Sequence, residues 1–424
     1  MSTRRELLAL ASGAAVAATL PAAPAQAAPR PRDGAAWTGT WAAAPTTVPP
    51  RPPTVLANQT VRHVVHVSTG GDRLRIRLTN EFGAQPLVVG EVRVARRAGS
   101  GASTATQPGT DRAVTFCGRT AVSIPAGAPL VSDPVHLRVP AGTELTVSLY
   151  LPERTPVTTL AAFAYQDNVI ADGNVTAART VTATAVVGQN LFLSGVSVAS
   201  SAGAIVALGD SITNGADTVA NLNHRWPDLL AERLRAARID RGVVNVGVSG
   251  NRLLHDPNPP AGSDAEAYAA FFAQSALRRF DRDVLAQPGA EHLIVLLGVN
   301  DLGHPGTAAP ATETVTADDL IAGHRQLIAR AHQAGLRAHG ATVLPFKDDT
   351  LGFYSVANER KRDALNRWIR TGGEYDSVID FDAAIRDRTD PLRLAPAYDS
   401  GDHLHPNDAG MAVLAAAVPL RLFR

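Results

Sequence analysis

The feature that most limits what this chain can become is a change of hydrophobic period near residue 200. Before that point, short runs alternate apolar and polar residues between glycine, proline and aspartate; after it, continuous apolar runs lead into a glycine turn and then into apolar residues at helical spacing. The first pattern builds half-buried strands of antiparallel sheets, and the second builds parallel strands buried on both faces and joined by helices. One sheet cannot serve both periods. The chain is therefore predicted to carry an all-β sandwich, jelly-roll-like in its run of short strands, over residues 28–200, and an α/β domain with a parallel sheet over 201–424.

Within the β half, Thr60 to Val67, the turn Gly70-Gly71-Asp72 and Arg73 to Leu78 read as a hairpin with Leu74, Ile76 and Leu78 facing inward. Leu87 to Arg93, Val135 to Val139 and Glu144 to Leu151 read as further strands, and Pro49 to Pro53 as a linker leading into this half. In the α/β half the strands are placed at Ile205 to Leu208, Val243 to Val248, Leu293 to Leu297, Ala338 to Leu344 and Val378 to Phe381. A helix is expected at Trp226 to Ala236, with Leu229, Leu230 and Leu234 on one side. Another opens at Thr316 with Asp319 as its capping partner and ends near Gly335.

In an open parallel sheet, functional groups collect where the strands hand over to loops at their carboxyl ends. The run Ile205 to Leu208 ends in Gly209-Asp210-Ser211, which sets a serine at the start of the next helix. Alone, Ser211 reads as a capping residue before it reads as a nucleophile. Other strand ends change the weighing: Val248-Ser249-Gly250-Asn251 brings a glycine, Gly298-Val299-Asn300-Asp301 an asparagine, and Asp402-His403-Leu404-His405 an acid and a base three residues apart. Acyl transfer needs these types. A serine hydroxyl needs a base, for which neutral His405 is suited; Asp402 would orient that base; and the amides of Ser211 and Gly250 with the Asn300 side chain would hold an oxyanion. Asp402 with His405 as a metal pair is the weaker alternative, because no further His, Cys or Glu cluster accompanies them. Asp210 reads as a turn-fixing residue and Asp301 as structural, Arg252 as reaching either substrate or a carboxylate, and His255, His304 and His403 as solvent-facing or loop residues. Trp226 reads as a packing anchor, and Trp37 and Trp41 as core before sugar platforms.

In these four blocks the sequence resembles the SGNH (GDSL-type) hydrolases, with a closer similarity to secreted actinobacterial esterases of the arylesterase and acetylxylan-esterase-like branch. Gly209-Asp210-Ser211, Gly250, Gly298-Val299-Asn300-Asp301 and Asp402 to His405 match in family order. The resemblance implies a flavodoxin-like three-layer domain and a serine esterase with no cofactor and no metal, in which Ser211, Asp402 and His405 are catalytic and Ser211, Gly250 and Asn300 form the oxyanion hole.

Composition bounds the partners. The 424 residues hold 40 basic and 39 acidic side chains, a formal charge of +1, so no global field draws the protein to nucleic acid. Arg4-Arg5, a run of small apolar residues and Ala25-Gln26-Ala27 read as an export signal over residues 1–27, of twin-arginine type, and nothing later reads as a membrane-spanning helix. Cys117 is the only cysteine, which excludes an intramolecular disulfide, and it reads as a buried thiol. The expectation is a secreted carboxylic ester hydrolase acting on a small-molecule or polysaccharide ester, with short acyl chains and acetyl groups foremost. Two rivals are a carbohydrate-binding or adhesion module whose α/β half is a scaffold, and an acyltransferase using the same residues. No oligomeric state follows from the sequence.

Overall fold

The computed structural model describes residues 36–424, so the expected export signal lies outside the described residues. From Trp37 to Ala199 the chain forms antiparallel sheets without a helix. One sheet orders Trp37–Ala42, Leu193–Ala199, Gly71–Thr79 and Val135–Val139; the other orders Ala185–Val187, Asn168–Asp172, Gln59–His66, Glu144–Leu151, Glu91–Arg96 and Arg112–Val114. Leu74, Ile76 and Leu78 point inward as expected and meet Val61, Val65, Val147 and Leu149 of the second sheet in one core.

The expected hairpin does not form. Gln59–His66 pairs with Glu144–Leu151 and Asn168–Asp172, whereas Gly71–Thr79 pairs with strands of the opposite sheet. The connection crosses the sandwich: the Val67 amide donates to the Thr143 carbonyl near one sheet, and the Ser68 amide then donates to the Thr40 carbonyl in the other. Alternation reports which face of a strand is buried, and it carries no information about which strand lies alongside. The run from Leu87 likewise divides at Gly90, Leu87–Val89 pairing with Val122–Ile124 while Glu91–Arg96 joins the larger sheet. Pro49 to Pro53 is no linker into this half, because Trp37–Ala42 already belongs to the sandwich before it. Cys117 is exposed, not buried. Cys117 and Gly118 both have positive φ, at 53° and 80°, between the mutually bonded Phe116 and Arg119, and such a tight turn stands in solvent.

In the α/β half the parallel sheet runs in the order Gly242–Asn245, Ala204–Gly209, Ala290–Leu296, Arg337–Ala341, Ser377–Ile379. Val206 and Leu208 face a core with Leu320, Leu327, Leu365 and Ile369, from the helices Ala317–Gln333 and Val356–Thr371. Ile205 and Ala207 face Trp226, Leu230, Met411 and Leu414, from Trp226–Ala236 and Asp408–Ala417. The capping box of Thr316 and Asp319 is present. Several strands are shorter than expected because the chain turns to serve a loop. Gly242–Asn245 stops at Asn245, although the Val246 and Val248 amides still donate to Ala207 and Gly209; Arg337–Ala341 stops at Ala341; and Phe381 opens a helix capped by Asp380.

Residues 36–424 pack as one compact unit. The exposed side of the edge strand Gly242–Asn245 is covered by the β half, where the Val243 amide donates to Ser68 Oγ at 2.8 Å and Gly242 lies against the Gly39 carbonyl. An open strand edge would otherwise present unpaired amides to other chains.

Candidate active site

The order 2-1-3-4-5 places the reversal of strand order at the first strand, Ala204–Gly209, and ligands of such sheets bind at the carboxyl ends beside that reversal. Ser211 follows the first strand, Gly250 the second and Asn300 the third, while Asp402 and His405 arrive from a loop just before the last helix, Asp408–Ala417. Gly209 makes the turn possible, since a Cβ there would lie 2.1 Å from Thr213 Oγ1 and 2.9 Å from the Leu296 carbonyl. Asp210 caps the four-residue helix Ser211–Asn214 by accepting from the Ile212 amide at 3.0 Å, which is the turn-fixing part the sequence assigns to it.

The structure brings the serine, imidazole and carboxylate into one hydrogen-bonded line. His405 Nε2 lies 2.8 Å from Ser211 Oγ, and His405 Nδ1 lies 2.5 Å from Asp402 Oδ2. The other carboxylate oxygen accepts from the Leu404 and His405 amides and from Ser400 Oγ, so Asp402 cannot turn away. With the proton drawn to Nδ1, Nε2 is left to accept from the serine hydroxyl. Burial alone would depress the His405 pKa, but the hydrogen bond and charge of Asp402 outweigh it and hold the imidazole above its usual 6.5. Burial likewise works to raise Asp402, and the bond and charge of His405 with the two loop amides hold it well below the carboxylate range.

Ser211, Gly250 and Asn300 line one cleft of about 400 Å³ beside this line. The Ser211 and Gly250 amides have no hydrogen-bond acceptor among the described residues. Asn300 is buried and donates to the Asn251 carbonyl at 3.0 Å, which fixes its amide plane and leaves its second N–H for a ligand.

Two buried groups, Arg279 and Asp301, and the half-buried Asn214 hold these loops. Arg279 donates to the Gly209 and Val246 carbonyls, to Asn251 Oδ1 and to Asp283 Oδ2, joining the serine turn to the glycine loop. No motif surrounds it, so the sequence offers no signal for it. Asn214 donates to the Phe163 carbonyl of the β half and accepts from the Ser249 amide and hydroxyl; it sits within the Gly209 to Gly215 turn and was within reach of motif reading. Asp301 accepts from the Leu253 and Leu254 amides, its pKa pushed up to about 6 by burial, in the structural part expected of it. Arg252 chooses the carboxylate of its two expected targets, reaching Glu313 Oε2 at 2.6 Å.

His304 departs from the solvent-facing expectation. It is buried in the cleft wall between Phe272 and Phe353, with its pKa depressed to about 3 by burial, because the helix Val299–Gly303 turns it under the aromatic rings. His403 pairs with Asp399 at the surface. Trp226 is fully buried against Phe381, and Trp41 is core, while Trp37 lies under the Arg75 guanidinium. Asp217 is a further residue that the sequence did not single out: its Oδ2 lies 3.4 Å from His405 Nδ1. Asp217, Asp402 and His405 have donor atoms within 4.8 Å of one another, the one such grouping among the described residues. The imidazole nitrogen in it is already taken by Asp402, so a cation would have to displace the proton that the Asp402 to His405 bond holds.

A parallel sheet that gathers a serine, an imidazole, a carboxylate and convergent amide donors at its strand ends defines the α/β half as a hydrolase. Residues 207–413 match the model of the GDSL-like lipase/acylhydrolase family, so the α/β half carries a GDSL-like hydrolase domain. No curated protein matches the chain. Among solved structures, it is similar to the native aryl esterase of M. smegmatis (18% identity, 53% of this chain and 100% of that chain, TM-score 0.39). A variant of a Geobacillus acetyl-xylooligosaccharide esterase is also similar (20%, 51% and 91%, 0.38). A Corynascus carbohydrate esterase family 2 enzyme with a carbohydrate-binding domain spans more of the chain (15%, 90% and 96%, 0.39).

Proposed function

We propose that this protein is a secreted serine esterase that hydrolyses carboxylic esters through an acyl-enzyme. Ser211 Oγ bonds to the ester carbonyl carbon as His405 Nε2 takes its proton, and Asp402 stabilises the resulting imidazolium. The Ser211 and Gly250 amides and the free N–H of Asn300 hold the oxyanion. Its collapse breaks the bond to the alcohol, which leaves with the proton from His405. Water then repeats the sequence, His405 removing its proton, and releases the acid and the serine. The observation that carries this reading is the Ser211, His405 and Asp402 line opening beside three amide donors in one cleft. Short acyl esters, acetyl groups among them, suit a cleft of about 400 Å³. Export rests on the leader read at residues 1–27, and no helix among the described residues is long and apolar enough to cross a membrane.

The test is hydrolysis of p-nitrophenyl esters from acetate to palmitate by the wild type and Ser211→Ala. Turnover is expected to favour the short chains and to fall by about 10⁴-fold or more in the variant. A wild type inactive on every chain, or a fully active variant, sinks the reading.

A further inference from the structure

The cleft beside Ser211 is not built by the α/β half alone. Between the strands Leu160–Ala161 and Asn168–Asp172 the β half sends out a strap, and Phe163 and Tyr165 of that strap line the cleft together with Phe272, His304 and Phe353. Phe163 is 40% exposed, so core packing does not account for it. Its ring stacks on Tyr165 at 6.5 Å and meets the edge of Phe271 at 6.3 Å. The Tyr165 hydroxyl lies against the Ser249 hydroxyl, next to Gly250, and burial raises its pKa.

The strap is fastened to the serine side of the site at two points. Asn214 donates to the Phe163 carbonyl at 3.0 Å while its side-chain oxygen accepts from the Ser249 amide and hydroxyl, so one amide joins the strap, the serine helix and the glycine loop. Asn221, with a positive φ of 68°, donates its amide to the Tyr165 carbonyl and its side-chain N–H to Asp167. Its side-chain oxygen accepts from the Asp167 amide and from Gln166 Nε2. An exposed aromatic held in place by this many bonds is a pre-organised surface, which lowers the ordering cost of whatever binds it.

We infer that the strap is a specificity wall of the active site, and that Phe163 and Tyr165 select an ester carrying a flat apolar ring. The chemistry of the walls favours an apolar ring over a sugar, because Phe163, Tyr165, Phe272 and Phe353 line them with aromatic carbon, the imidazole of His304 is neutral, and apolar surface outweighs polar. This rests on the esterase reading above. The ring could belong to the acyl or to the alcohol side of the ester.

Acid release from ethyl acetate, phenyl acetate and ethyl benzoate separates the two sides, and is measured for the wild type, Phe163→Ala and Tyr165→Phe. The wild type is expected to prefer one ring ester over ethyl acetate. Phe163→Ala is expected to erode that preference by about ten-fold. Tyr165→Phe keeps the ring and removes the hydroxyl beside Ser249, so kcat is expected to fall more than the preference changes. Binding of the preferred ring ester to Ser211→Ala, with and without Phe163→Ala, reads the wall without chemistry and is expected to weaken by a similar factor. Turnover whose preference and binding ignore Phe163 overturns the wall and leaves the esterase reading standing. Binding that depends on Phe163 in a protein with no turnover keeps the wall as a ligand site and overturns the esterase reading beneath it.

Discussion

Replacing Gly250 by alanine tests whether its amide is an oxyanion donor. Gly250 has φ +75°, a region where a residue with a Cβ is strained by about 1–2 kcal/mol. An alanine Cβ would also fall 2.1 Å from Phe272 Cδ1 and 2.3 Å from its Cγ, so the ring or the backbone must move by roughly 1.5 Å to restore ordinary contact. The ring has little room, since it lies between Tyr268 at 5.5 Å and His304 at 5.1 Å. The backbone is then the part that yields, and the amide turns away from the carbonyl it should face. Loss of one such donor costs about 3–4 kcal/mol, so kcat is expected to fall about 10²–10³-fold while KM changes little. Stopped assays with p-nitrophenyl acetate read kcat, and a thermal melt reports the strain separately. The double variant Gly250→Ala/Phe272→Ala removes the clash and keeps the φ strain, so recovery of kcat assigns the loss to the ring. A Gly250→Ala enzyme within about three-fold of the wild type in kcat would refute the assignment, since a misaimed donor costs far more than that.

Hydrolysis requires neutral His405, so kcat/KM is expected to rise with pH through the imidazole pKa, on a limb above 6.5 in the wild type. Asp402→Asn removes the hydrogen bond and charge that oppose burial, so the limb should move to lower pH while the plateau falls about 10³–10⁴-fold; an unmoved limb would separate Asp402 from the imidazole. Arg279→Met removes the donor that joins Gly209, Val246 and Asn251, and leaves Asp283 to Arg282. Because that second arginine remains, the loss of stability should be near the lower end of about 3–5 kcal/mol, and an unchanged denaturant midpoint would contradict it. His63 and His324 are buried with pKa values lowered to about 4 by desolvation, so between pH 6.5 and 4 the unfolded chain binds more protons than the folded one. Stability is expected to fall as the pH drops through that window, by about 2 kcal/mol per imidazole at pH 5, and equal urea midpoints at pH 7 and pH 5 would exclude this.

What the sequence makes legible here is what is local. The serine turn, the glycine and asparagine loops and the acid-base pair each lie within a few residues of a strand end or helix start. A parallel sheet sends its carboxyl ends to one edge, so four short stretches suffice to place the site. The two periods likewise separate the antiparallel half from the parallel one at the passage from Leu193–Ala199 to Ala204–Gly209. Partner choice is not local. The strand after Asn58 finds partners some 85 and 110 residues away, at Glu144–Leu151 and Asn168–Asp172, and no alternation within it distinguishes these from the strand that follows it. Arg279 and Phe163 are illegible for the same reason, since each acts on the site from a segment that carries no motif.

These distant contacts explain how so short an element can hold the proposed nucleophile steady. The helix Ser211–Asn214 has four residues, too few to be stable by its own hydrogen bonds. It is held from outside at every level: Asp210 caps its start, Trp226 Nε1 donates to Thr213 Oγ1 within the core, Asn245 Nδ2 donates to the Thr213 carbonyl, and Asn214 ties its end to the β half. Arg279 holds the Gly209 carbonyl immediately before it. Each of these bonds comes from a different segment, so the position of Ser211 Oγ relative to His405 is a property of the assembled fold. A variant such as Asn214→Ala, at a side chain that takes no part in the bond-breaking step, should therefore lower kcat through geometry while the serine, the imidazole and the carboxylate all remain in place.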